Sequence, residues 1–262
     1  LVAEWRDGRW VQLGPELDRR VDALVWSGTQ WAMLGWHGRH EYDIGRGYAV
    51  QVFDGTSWRM LGDEHERTLS TLAAHLGALF AAGGWGFDAS AAADAVIRWD
   101  GSSWVGTGSP IQWPELQDPR LGDAFRVTAL ASTPLGLLAA GEAFDAGCEW
   151  QASQEIFCDW DVRLGFVSVW NGRGWKSFPS RPHVGTSVAV GRDRIIAGVA
   201  PFPAGPCVFL LEHGQWRPLG NLQAPECVSL AVLNGVIYAA TRDYSIQESN
   251  NLWRWTGTAW QP

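Results

Sequence analysis

One motif recurs six times along this chain, and it constrains the fold more than any other feature. An aromatic residue or leucine is followed by a short glycine turn, and a tryptophan stands five residues after the first position. The copies run Trp5–Trp10 around Gly8, Phe53–Trp58 around Gly55 and Trp99–Trp104 around Gly101. Three more run Trp170–Trp175 around Gly172, Leu211–Trp216 around Gly214 and Trp255–Trp260 around Gly257. The closing tryptophans are 48, 46, 71, 41 and 44 residues apart. Repeats of roughly 40–50 residues are the period of propeller blades.

The motif supplies the φ > 0 positions of tight hairpin turns through Asp-Gly, Asn-Gly and Thr-Gly, so each copy reads as a hairpin between two outer strands. Ahead of every copy from the second onward lie two more runs. The first alternates: Val21–Leu24, Leu69–Leu72, Val127–Leu130, Ser187–Val190, Ser229–Val232. The second is apolar and rich in alanine: Trp31–Gly35, Leu79–Gly83, Leu137–Gly141, Ile195–Gly198, Val236–Ala240. Continuous apolar runs mean burial on both faces. Each unit is therefore four strands, which we call a, b, c and d. One such sheet cannot cover its own two faces, so the units must stack around a ring. A helical reading fails, because the apolar period is 2 or continuous and Gly or Pro intervenes about every ten residues. The fold class expected is all-β, a single β-propeller domain of five to six four-stranded blades. The blades are expected near 20–62, 68–108, 126–178, 187–220 and 228–262, with residues 1–14 as a half blade.

The Leu-Phe-Ala-Ala-Gly83-Gly84 run followed by Trp99-Asp-Gly101-Ser-Ser-Trp104 resembles the kelch pattern of a glycine pair and two spaced aromatics, and more closely the bacterial WDG-type kelch-like repeats. The resemblance spans nearly the whole chain. It implies a propeller and leaves function open, since such rings host binding and catalysis alike. The sequence departs from kelch in having the full glycine pair only at Gly83-Gly84. The half blade at 1–14 admits two readings: upstream residues supply its inner strands and give six blades, or the ring has five and the hairpin is an accessory at an edge. The chain begins at Leu1 rather than Met and shows no signal peptide, so an upstream segment is left open.

The formal net charge is −8 and no basic stripe is present, which excludes a nucleic-acid footprint. No apolar run reaches the roughly 18 residues that cross a bilayer. None of the four cysteines sits in a CxxC pair, which argues against a zinc ribbon. They are expected as two disulfides, Cys148–Cys158 and Cys207–Cys227, and hence in an extracellular, periplasmic or cell-surface protein.

In a propeller the a–b and c–d turns lie on one face and the b–c and d–a connections on the other. The first set here is short and uniform. The second is long and varied, which places function on the b–c/d–a face. Ligand-binding residues are expected there at Trp36, Trp85, Asp88, Trp113, Glu149, Trp150 and Trp160. His37, His40 and Asp43 are the one loop cluster suited to a divalent metal, and no other cofactor is implied. The acidic, aromatic stretch 142–165 suits calcium or a sugar but lacks the residue order of a calcium loop. No G-x-S-x-G occurs, and no nucleophile constellation stands out. The repeated tryptophans read as packing between blades rather than as sugar platforms. The expected function is a secreted or cell-envelope binding module for a protein or glycan surface, without catalysis, a membrane span or nucleic-acid affinity. The alternatives are a carbohydrate-binding lectin, and a hydrolase or lyase with a composite carboxylate/His site on the same face.

Overall fold

The structure, a computed structural model, describes residues 2–17, 20–36, 47–63, 69–83, 95–108, 111, 124–144, 148–150, 156–158, 163–178, 184–191, 194–201, 205–243 and 249–262. The chain is a β-propeller, and no helix occurs among the described residues. It opens with a hairpin, β1 (Ala3–Arg6) and β2 (Arg9–Gln12). Five four-stranded antiparallel blades follow. Blade A is β3 (Arg20–Trp26), β4 (Trp31–Trp36), β5 (Tyr48–Phe53) and β6 (Trp58–Met60). Blade B is β7 (Leu69–His75), β8 (Ala78–Gly83), β9 (Val96–Trp99) and β10 (Trp104–Gly106). In blade C the small hairpin β13 (Cys148–Trp150) and β14 (Ile156–Cys158) interrupts the sheet formed by β11 (Ala124–Thr133), β12 (Gly136–Phe144), β15 (Arg163–Trp170) and β16 (Trp175–Ser177). Blade D is β17 (Val184–Gly191), β18 (Arg194–Ala200), β19 (Val208–Glu212) and β20 (Gln215–Pro218). Blade E is β21 (Glu226–Leu233), β22 (Val236–Asp243), β23 (Ser249–Trp255) and β24 (Trp260–Gln261).

The repeated motif closes every c–d pair in the same register, from Phe53↔Trp58 in blade A to Trp255↔Trp260 in blade E. One offset is reached by two kinds of turn. Asp7-Gly8 and His213-Gly214 are two-residue turns with both φ positive, the twist-matched type for a hairpin. At Asp54, Asp100 and Asn171 the loop has four residues and only the glycine directly after the first has positive φ. There the side-chain oxygen accepts from two backbone amides ahead of it, at 2.9 Å each for Asp54 and 2.8 Å each for Asp100. Those bonds hold the Asp100 carboxyl down to about 2 and depress Asp54 as well.

The tryptophans opening the d strands join neighbouring blades, as their fixed place in the repeat implies. Nε1 of Trp104 donates to the Leu61 carbonyl at 2.7 Å, and Nε1 of Trp260 to the Leu219 carbonyl at 2.6 Å. Nε1 of Trp175 donates to the Thr107 hydroxyl at 3.0 Å. Trp58 makes the same bond to the Leu13 carbonyl, at 3.0 Å, although Leu13 belongs to the opening hairpin. Five apolar clusters fill the spaces between successive units: hairpin and A, A and B, B and C, C and D, D and E.

Candidate functional site

The innermost strands explain where a site can form. β3, β7, β11, β17 and β21 all carry a bulge at the same point, with Asp22, Ser70, Thr128, Thr186 and Val228 as the extra residue. A bulge bends the strand and re-aims its side chain. In blade C a glycine of strand b makes room for it: a Cβ on Gly141 would collide with the Arg126 carbonyl oxygen and the Phe166 ring. Ser70, Thr128, Thr186 and Val228 line one cavity of about 620 Å³, and Asp22 holds the equivalent place in blade A. The hydroxyls also fasten blades together. Ser70 donates to the Val127 carbonyl at 3.1 Å, and Thr186 makes the matching bond to the Cys227 carbonyl.

One step further out, at the starts of the a strands and ends of the b strands, the cavity is ringed by charge. Arg126 and Glu142 sit opposite each other across the β11–β12 ladder, 4.0 Å apart. Glu226 and Arg242 sit opposite each other in blade E at 3.8 Å, with the charges exchanged between the two strands. Glu142 is only 5% exposed along its side chain. Blade A adds Arg20, bonded to Asp22 at 2.6 Å, and faces Trp36 across the ladder. Trp36 stacks edge-on to Tyr48 with ring centroids 5.1 Å apart. Burial pushes the Tyr48 phenol up, and Asp22 adds to it, while Arg20 and Arg126 pull it down. Among the described residues Oδ2 of Asp22 and Nε1 of Trp36, both buried, find no hydrogen-bond partner. Because a strands begin and b strands end on the b–c/d–a side, this is the channel mouth on the long-loop face.

The structure thus brings Trp36 of the expected residues to the mouth. Glu149 and Trp150 lie in β13 of blade C, where only the backbone is described. Trp85, Asp88, Trp113, Trp160, His37, His40 and Asp43 fall outside the described residues. Among the described residues no group of three or more His, Cys, Asp or Glu is placed to hold a metal. Glu142 is expected at the start of the 142–165 connection. β12 instead runs on to Phe144 and seats Glu142 in the ladder. The sequence pattern does not single out Arg126, Glu226 and Arg242. Their signal is register: Arg126 and Glu226 stand two places ahead of the bulge, as Arg20 does in blade A, and Glu142 and Arg242 face them across the ladder.

The expected Cys207–Cys227 disulfide is not formed here. Cys207 and Cys227 are free buried thiols. The side-chain hydrogen bond between them draws Cys207 down against the effect of its burial, and together with burial pushes Cys227 up. Cys148 and Cys158 stand directly opposite each other in the β13–β14 register.

No protein-family model and no curated protein matches the chain. Solved structures do. The extracellular domain of BT4673 from B. thetaiotaomicron aligns over 89% of this chain at 9% identity with a TM-score of 0.58. Trypanosoma rangeli sialidase aligns over 97% at 14% identity with a TM-score of 0.57. The shared feature is the propeller fold. The chain spans 28% and 49% of those two chains, so the likeness is one of architecture alone.

Proposed function

We propose that this propeller is a non-catalytic binding module, exposed outside the cell or in its envelope, that takes a polar partner at the channel mouth of its long-loop face. The kelch-like resemblance of its repeats accords with such a role. The observation that carries the reading is the blade A side of the mouth: a buried carboxylate oxygen on Asp22 and a buried indole N–H on Trp36, each without a partner among the described residues. Buried polar atoms ordinarily have partners, and a ligand is one way to supply them. Balanced Arg–Glu pairs and converging hydroxyls around the cavity give a surface rich in both donors and acceptors. That suits a glycan or the polar surface of a protein better than a simple ion.

The test is to screen the chain against a glycan array and a panel of surface proteins, then to measure any hit on Asp22→Asn, Trp36→Phe and Arg126→Ala. Each substitution is expected to weaken binding about tenfold, the effect of one lost buried hydrogen bond to a polar group. Unchanged affinity in all three, with loss instead on altering the c–d turns at Asp54 and Asp100, overturns the reading.

A hydrolase is the second reading, favoured by the buried carboxylate of Glu142 held against Arg126 at the cavity wall. It requires turnover of a bound glycoside that Glu142→Gln abolishes while binding survives. Export also accords with the cysteine placement. We propose that oxidation joins Cys207 to Cys227 and Cys148 to Cys158. Non-reducing peptide mapping of the protein secreted from an oxidising host is expected to show both pairs; free thiols or crossed pairs refute them.

A further inference from the structure

The opening hairpin occupies the place of an outer half blade. Its Trp5↔Trp10 register is that of every c–d pair. Its Leu13 carbonyl receives the Trp58 indole as Leu61 and Leu219 receive those of the next blades. Gly14, at φ +74, lies under Phe53 and Trp58 as Gly62 and Gly220 lie under the aromatic pairs that follow them. Among the described residues no a–b pair stands inside it. β1 and β2 form a two-stranded sheet of their own, so the inner edge of β1 is unpaired among the described residues.

Among the described residues both walls of the space inside the hairpin are open. The a strands pack side by side from β3 to β7, β11, β17 and β21, and among the described residues β21 does not return to β3 with comparable packing. The face of β3 turned away from blade B exposes Leu24 at 42% and Trp26 at 49%. The face of β21 turned away from blade D exposes Leu233 at 62%, and Leu252 on the same face of blade E is 63% exposed. In blade B, flanked on both sides, the residues at the places of Leu24 and Leu233 are Leu72 and His75, each 7% exposed. An apolar wedge with two such walls is a binding surface.

We propose that the wedge between blades A and E accepts an inner β-hairpin of this chain's own repeat type, which pairs with the free edge of β1 and completes a sixth blade. The occupant is specified by the repeat. It has a short alternating strand with a bulge near its start, a Gly turn, and an Ala-rich apolar second strand ending in Gly. Recognition combines backbone pairing along β1 with apolar side chains against Trp26 and Leu233, the mode of strand addition to a sheet edge.

The experiment appends a second copy of residues 69–83 after Pro262 of the full chain. The joining segment copies residues 61–68, which connect blades A and B. Thermal unfolding and hydrogen exchange are read on the parent, the fusion, a fusion with the hairpin order scrambled, and the fusion carrying Trp26→Lys and Leu233→Lys. The result expected is a thermal midpoint about 5 °C or more higher in the intact fusion alone, together with new protection of the Ala3–Arg6 amides. If those amides exchange as fast in the fusion as in the parent, the proposal fails. It fails equally if the parent is a dimer that Trp26→Lys disperses, because a second copy then covers the wedge.

Discussion

Residue by residue, the chain relies on a few conformations that most side chains resist. Leu76 is the clearest case. It is the first residue of the two-residue turn between β7 and β8, at φ 50, and it is 91% exposed. Asn234 holds the corresponding place in blade E at φ 52. A leucine in the left-handed region costs about 1 kcal/mol that asparagine largely avoids, and its exposed side chain recovers little. Leu76→Asn is therefore expected to stabilise the protein by about 1 kcal/mol, read as a higher denaturation midpoint at unchanged slope. No stabilisation would mean that the leucine has contacts in the folded ensemble that its exposure does not reveal.

Strands and bulges are the level at which the candidate site is made. The bulge in β11 turns Thr128 to the cavity, and Gly141 allows it by leaving space for the Arg126 carbonyl. Gly141→Ala is expected to destabilise by about 2–3 kcal/mol through overpacking against backbone and ring and to weaken any ligand held at the mouth. Equilibrium unfolding and binding measured on the one variant check both, and a stable Gly141→Ala protein would show that the bulge can relax. The strands themselves were legible in the sequence, because turn glycines and the spacing of Trp58, Trp104 and Trp260 depend on local chemistry. The ring of bulges was not. A bulge is a mismatch between two strands, visible only once Val127 is set against Gly141 and Ala129 against Ala140. For the same reason nothing in the sequence marks Arg126, Glu226 and Arg242 until pairing gives each a partner, whereas Trp36 stands out unaided as an aromatic residue at a loop's start.

At the scale of the whole molecule, the five apolar interfaces run in series from the opening hairpin to blade E. Repeat proteins held this way have stabilities that add nearest-neighbour contributions. A hoop would give every unit two neighbours; among the described residues this series leaves two ends. Detaching the hairpin dissolves only the cluster around Met33, and detaching blade E only the one around Ile196 and Val208. Removing blade B breaks two clusters and cuts the molecule in half. Damage is thus unequal along the chain: fraying from either end is cheap and leaves Arg126, Glu142 and Thr128 standing, while a lesion in the middle is paid for twice.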